Sequence, residues 1–292
     1  PLVSLADAGR ILPALERDDG YRSSAWSLDG NKKILEGARP PWFMHPAQGF
    51  VQWQRQDELG WYMRQLHANE SVSPFSETFG ESLTSGIAST QYMAALLDPI
   101  ELATSFDGTN NLMKSMEQVA RVIKTRGARQ VERDVFFVST GGWDTHNEVT
   151  LKLIENFGNI DQALSTFATE MRAQGVWENV IVQEASEFGR TLASNGRGSD
   201  HGWGGNAFVV GGAINGSRVH GIYPSTLRLD SEQFESRRQG RVIPTTPWEA
   251  LWQAHAQWLG VTPSAMTEVL PNKNNFPPEQ LLTKEQLFGS GA

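Results

Sequence analysis

Cysteine is absent from the 292-residue chain, and that absence excludes disulfides, thiolate nucleophiles and zinc sites built on sulfur. A basic surplus is absent too. Against 33 Asp and Glu stand 25 Lys and Arg, for a formal charge of −8 and an isoelectric point near 5.3. With no cationic excess to neutralise phosphates, neither a nucleic acid nor an anionic membrane surface is the expected partner. No stretch approaches the roughly 18 to 20 uninterrupted apolar residues of a transmembrane segment. No basic segment followed by an apolar one opens the chain as a secretory signal would. Internal repeats, a Gly-x-Ser-x-Gly nucleophile elbow and a phosphate-cradling loop of Walker type are all missing. The first residue is Pro1 rather than methionine, which raises the expectation of a processed or truncated product.

What is present describes a globular protein. Hydrophobic residues make up 39% and charged residues 20%, enough to bury a sizeable core in one large domain or two ordinary ones. Ten tryptophans are a high share. Exposed indoles could stack on sugars, but the expected use of most of them is packing, because large aromatics supply much of the apolar area that a fold buries.

Residues 1–105 show short apolar clusters and no sustained period, and are expected as short helices and loops packed on the rest. Residues 106–292 read as an α/β core. Leu112, Met116, Val119, Ala120 and Ile123 recur at helical spacing, with Gly127 as the stop. Val135–Val138 is a short β-branched and aromatic run that suits a strand buried on both faces. Leu153, Phe157, Ile160, Leu164, Phe167 and Met171 then alternate steps of four and three, which predicts an amphipathic helix over 148–174 closed by Gly175. Val180–Val182 is a second buried strand, and Phe208–Val210 a third apolar run. Strand, helix and strand in this order predict runs 135–138 and 180–182 as neighbouring parallel strands of a partly parallel sheet flanked by helices. Thr246-Pro247-Trp248-Glu249 reads as a capping box opening a helix that closes at Gly260.

On that reading, polar motifs follow the carboxyl ends of strands, the edge where open α/β sheets bind ligands. Asp144, His146, Glu187, Asp200 and His201 gather at three such loops. Oxygen and nitrogen donors without sulfur suit Zn, Mn, Mg or Ca, although each motif alone is as readily a loop brace. Arg190 is either a clamp for an anionic oxygen or the partner of Glu187 or Asp200 in a salt bridge. His45, His67, His220 and His255 are read as structural. Gly198 and Gly204 are read as turn residues.

The ordered series GGWDTH (141–146), SEFGRT (186–191), NGRGSDHGWGG (195–205), FVVGG (208–212), GIYP (221–224), IPTT (243–246) and LPNKNNF (270–276) resembles the DUF1501 family. That family is related to sulfatases and alkaline phosphatases, and the likeness covers about residues 112–280. The resemblance implies an alkaline phosphatase/sulfatase-like core and a divalent metal held by Asp144, His146, Glu187, Asp200 and His201. It implies catalytic roles for Arg190, stabilising developing charge, and for His201, as ligand or general acid. The substrate implied is an anionic phosphate or sulfate ester. Two departures stand against it. Related proteins carry a nucleophile and a metal-binding acid just after the first strand, where the nearest counterpart here is Leu28-Asp29-Gly30-Asn31, so the core could lack its first strand. They also space the upstream pair Asp-x-x-x-His, whereas this chain has Asp-x-His. The expectation is therefore a metal-dependent hydrolase-like protein with weak or lost activity. The alternative is a catalytically silent assembly subunit whose partners are other protein subunits. The resemblance also implies export from the cytosol.

Overall fold

The computed structural model describes residues 7–18, 22–37, 39–51, 55–67, 73–232, 234 and 239–289. Strand β1 (Ser23–Ser27) lies between β2 (Trp42–Phe43) and β3 (Arg133–Phe137), parallel to both. Trp26 is in register with Trp42 on one side and Phe136 on the other. The three rings form a stacked row, with centroids 5.6 and 6.2 Å apart and planes 19° apart in both pairs. Four further strands are β4 (Ile181–Gln183), β5 (Arg190–Ser194), β6 (Ser199–His201) and β7 (Val209–Gly211). The helices are α1 (Asp7–Asp18), α2 (Gln56–His67), α3 (Pro74–Leu97), α4 (Asn111–Lys124), α5 (Arg126–Arg129), α6 (Val149–Ala173), α7 (Trp248–Leu259), α8 (Met266–Val269) and α9 (Lys284–Phe288).

Side chains alternate between the faces of a strand, and the sheet is clothed accordingly. On the face of Trp26 and Phe136 pack Met113, Met116, Val119 and Ala120 of α4 with Ala163, Phe167 and Met171 of α6. On the face of Ala25 and Val135 pack Ile11 and Leu15 of α1 with Ala256, Met266 and Val269. The result is a small parallel sheet covered by helices on both faces. One polar knot sits inside it. Arg129 Nη2 donates to Asp134 Oδ2 at 2.6 Å with the two side chains only 5% and 11% exposed. The same guanidinium lies 5.2 Å from the Trp26 ring, and the Trp26 indole N–H donates to Asp134 Oδ1 at 3.0 Å.

The structure corrects the expected pairing of runs 135–138 and 180–182. The parallel neighbour of β3 is β1, from the segment expected to hold only helices and loops, while β4 pairs antiparallel with β7, Val182 opposite Val210. The physical reason lies in both strands. Ser23-Ser24-Ala25-Trp26-Ser27 has too few apolar residues to announce a central strand, yet Trp26 alone fills its side of the sheet. Val180 and Val182 do pack on the same helical core as Phe136 and Val138, but their strand hydrogen-bonds to the third apolar run. A strand therefore does precede the loop 28–31.

Three smaller corrections concern helices. Phe157 is 55% exposed, as are Leu151 (70%) and Ile154 (67%), because the first turns of α6 lie outside the core that its second half builds. The first helix of the core ends at Lys124, with Gly127 inside α5 and Gln130 in the left-handed conformation behind it. The capping box at 246–249 is not formed. Pro247 is the N-cap of α7, without a side-chain hydrogen bond, and Glu249 is buried. Gly260 closes α7 as expected, at φ 107°.

Candidate metal centre

The site is built from two pieces of backbone. Beyond β3 the chain runs through 139–147 to reach α6, and within this loop Thr145 is buried while Asp144 and His146 are exposed. Burying the middle residue of the Asp-Thr-His triplet turns its neighbours outward to a common side. The second piece is the antiparallel hairpin β5–β6, in which Arg190 pairs with His201 and Ser194 with Ser199. The hairpin docks onto the loop through Ser199 N–H, which donates to Thr145 C=O at 3.2 Å. Gly198 makes the approach feasible, since a Cβ there would lie inside contact distance of the Thr145 carbonyl oxygen. Its role is this close approach rather than a turn.

Docking brings four of the five expected metal ligands together. Asp144 Oδ1 is 3.0 Å from His146 Nε2 and 2.9 Å from His201 Nε2, and the two imidazole nitrogens are 3.3 Å apart. One donor atom from each of Asp144, His146 and His201 lies within 4.8 Å of the others. Asp200 stands behind them, its Oδ1 3.2 Å from His146 Nδ1. Glu187, in the loop after β4, is exposed and outside this group. Arg190 pairs with Asp144, a partner that is neither Glu187 nor Asp200. Its Nη1 donates to Asp144 Oδ1 at 2.6 Å, its Nε to Ser199 Oγ at 3.1 Å and its Nη2 to the Ser199 carbonyl. The guanidinium is thus tied to both the loop and the hairpin.

These contacts set the electrostatics. The hydrogen bond from Arg190 holds the Asp144 carboxyl below the usual carboxylate range against the opposing effect of burial, with smaller contributions from His201 and His146. Asp200 is lowered as well, first by Asn195 and then by His146. The His201 ring is fixed by stacking on Phe188, centroids 4.1 Å apart and planes at 16°.

Two contributors escaped the sequence reading. Asn195 donates through Nδ2 to Asp200 Oδ1 at 3.0 Å and to the His146 carbonyl at 3.3 Å. Its Oδ1 accepts from Gly198 N–H at 2.8 Å. An Asn before Gly-Arg-Gly signals a turn, and nothing in that signal says that it braces a histidine. Phe188 reads as an apolar loop residue until its ring is seen against His201.

The donor set can be tested for its fit to a cation. If His146 Nδ1–H donates to Asp200, its Nε2 carries a lone pair that faces a carboxylate oxygen and a second imidazole nitrogen. Arg190 already offsets the Asp144 charge, and with His201 also unprotonated at Nε2 the two imidazole lone pairs 3.3 Å apart would be brought together by a cation bound to both. A carboxylate oxygen and two imidazole nitrogens are ligands for Zn or Mn, and a carboxylate orienting the far nitrogen of a metal-binding histidine is the usual arrangement behind such ligands. The residues fit a divalent metal.

The family model described as "Protein of unknown function (DUF1501)" matches residues 39–233, a span that includes every residue of this centre. No curated protein and no solved structure matches the chain.

Proposed function

The chain belongs to the DUF1501 family, and from that premise we propose that Asp144, His146 and His201 hold a divalent metal in a hydrolase-like protein acting on phosphate or sulfate esters with low turnover. The observation that carries the reading is the convergence of those three donors within 4.8 Å, with Asp200 behind His146 at 3.2 Å. A metal bound there would supply Lewis-acid polarisation of an ester oxygen and acidify a water. The protein's own groups do the rest. Arg190 keeps Asp144 ionised and in place, Asp200 and Asn195 fix the His146 ring so that Nε2 faces outward, and Phe188 fixes His201. The alkaline phosphatase/sulfatase-like core belongs to this proposal, as does a supporting role for Glu187 through a movement of its exposed loop. Low turnover follows because no hydroxyl side chain is hydrogen-bonded to Asp144, His146 or His201 among the described residues, and in-line attack on an ester needs a positioned nucleophile.

One observation favours the assembly-subunit reading. Leu151, Ile154 and Phe157, at i, i+3 and i+6, form an exposed apolar stripe on the first turns of α6. Metal analysis separates the two. Native protein should carry one divalent ion per chain, released by Asp144→Ala and His201→Ala, with slow hydrolysis of aryl phosphates or sulfates lost in the same variants. A protein free of metal, indifferent to added Zn or Mn and oligomeric through α6 would replace the hydrolase reading with the assembly one.

A further inference from the structure

A cavity of about 300 Å³ opens at the carboxyl edge of the parallel sheet, where β1 runs into Leu28 and Asp29 and β3 into Ser139–Gly141. Along Leu28, Asp29, Pro46 and Asn111 it is continuous with a wider groove of about 620 Å³. Both volumes suit a small organic ligand, for which pockets span about 300–1,000 Å³. The inner wall is made of amides and hydroxyls from three elements: Asn111 and Ser115 of α4, Thr140 after β3 and Asn159 of α6. Asn110 is already engaged, its Oδ1 accepting from Met113 N–H at 2.8 Å and its Nδ2 donating to Asn159 Oδ1 at 3.3 Å. Asn111 and Thr140 have no side-chain hydrogen bond among the described residues. The outer groove is mixed, with Phe43 and Val51 exposed beside Phe50 and with His45 and Thr90 as further polar groups.

Charge narrows the occupant. Asp29 is the one carboxylate on either wall, and Lys32 Nζ neutralises it at 2.7 Å. No lysine or arginine lines the cavity or the groove among the described residues, and Lys32 is already paired with Asp29, so an anion would find no unpaired lysine or arginine on the walls. An apolar ligand would strip water from the amides and hydroxyls without replacing it, leaving those groups unpaired at a cost in affinity. A ring that carries hydroxyls on its rim and C–H groups on a face satisfies both walls.

We propose that this cavity binds a saccharide unit, its hydroxyls bonded to Asn111, Thr140 and Asp29 and its C–H face against Phe43. The wall residues Ser139–Gly141 continue directly into Asp144 and His146, and Asn156 of α6, one turn before Asn159, donates to Gly142 C=O at 2.9 Å. On the ester-hydrolase reading, which this step extends, the saccharide is the organic part of the ester whose anionic group lies at the metal. Saccharide binding itself needs only the cavity.

The test titrates the full chain with neutral pentoses, hexoses and disaccharides, by calorimetry and saturation-transfer NMR, with and without EDTA. Saturable binding of at least one sugar is expected, weakened by about tenfold or more in Asn111→Ala and in Thr140→Val, as expected for loss of a hydrogen bond to a sugar hydroxyl. It should be unchanged by EDTA. Sugar binding in a protein that holds no metal would keep this proposal and remove the hydrolase one. The absence of binding across the panel would overturn it, as would equal binding in the two folded cavity variants or a preference for inorganic phosphate.

Discussion

His255 makes the stability of the fold depend on pH in a calculable way. The side chain is 2% exposed, its ring sits edge-on between Trp252 and Phe288 at 5.8 and 6.0 Å, and its Nε2 has no hydrogen-bond partner among the described residues. Burial without a partner disfavours the imidazolium and pulls the pKa from 6.5 down to about 4. The unfolded chain therefore takes up a proton at this position well before the folded one does, and acid favours unfolding. The stability contributed by the neutral ring is fully present above pH 6.5 and is lost as pH falls from 6.5 toward 4. At about 1.4 kcal/mol per pH unit the loss amounts to about 3 kcal/mol, a large part of the margin of an ordinary domain. Urea unfolding of wild type and His255→Leu at half-unit steps from pH 7.5 to 4 isolates the effect, because the remaining titrating groups are common to both. The wild type should lose about 3 kcal/mol more than the variant across that range. Parallel stability curves would refute the assignment of a neutral, buried imidazole.

Replacing Asn195 by Ala removes the brace on Asp200 and on the His146 carbonyl, and should weaken Zn or Mn affinity by about 10- to 100-fold, as loss of a supporting group behind a metal ligand does; calorimetry that finds unchanged affinity would assign Asn195 to the turn alone. Affinity should also fall as pH is lowered, since imidazole ligands must be deprotonated to bind, and a flat profile between pH 8 and 5 would argue against histidine ligation. Gly198→Ala places a methyl group against the Thr145 carbonyl, so the hairpin should detach from loop 144–146 and metal affinity should disappear while far-UV dichroism persists. Arg129→Met leaves the buried Asp134 carboxylate without its cation and should destabilise the protein by about 3–5 kcal/mol, measured by chemical unfolding; adding Asp134→Leu should recover part of that loss.

Much of the α/β core was legible in the sequence because its signals are local. Periodicity announced α4 and α6, the apolar runs announced β3, β4 and β7, and Gly260 announced the end of α7. At the site, the residue types of Asp144, His146, Asp200 and His201 marked candidate ligands, since carboxylates and imidazoles are donors for a divalent cation. What tertiary structure decided is adjacency. Strand β1 becomes central only when Trp26 stacks between Trp42 and Phe136, an arrangement that joins residues more than 100 positions apart in the chain. The partner of β4 was likewise a choice among several equivalent apolar edges. Nor can spacing reveal that Arg190 donates to Asp144, that Asn195 braces His146, or that Glu187 lies outside the group that Asp144 joins. Those outcomes depend on a hairpin lying down on a loop, held by a backbone hydrogen bond, by the side chains of Arg190 and Asn195, and by a glycine whose missing Cβ leaves room for a carbonyl oxygen.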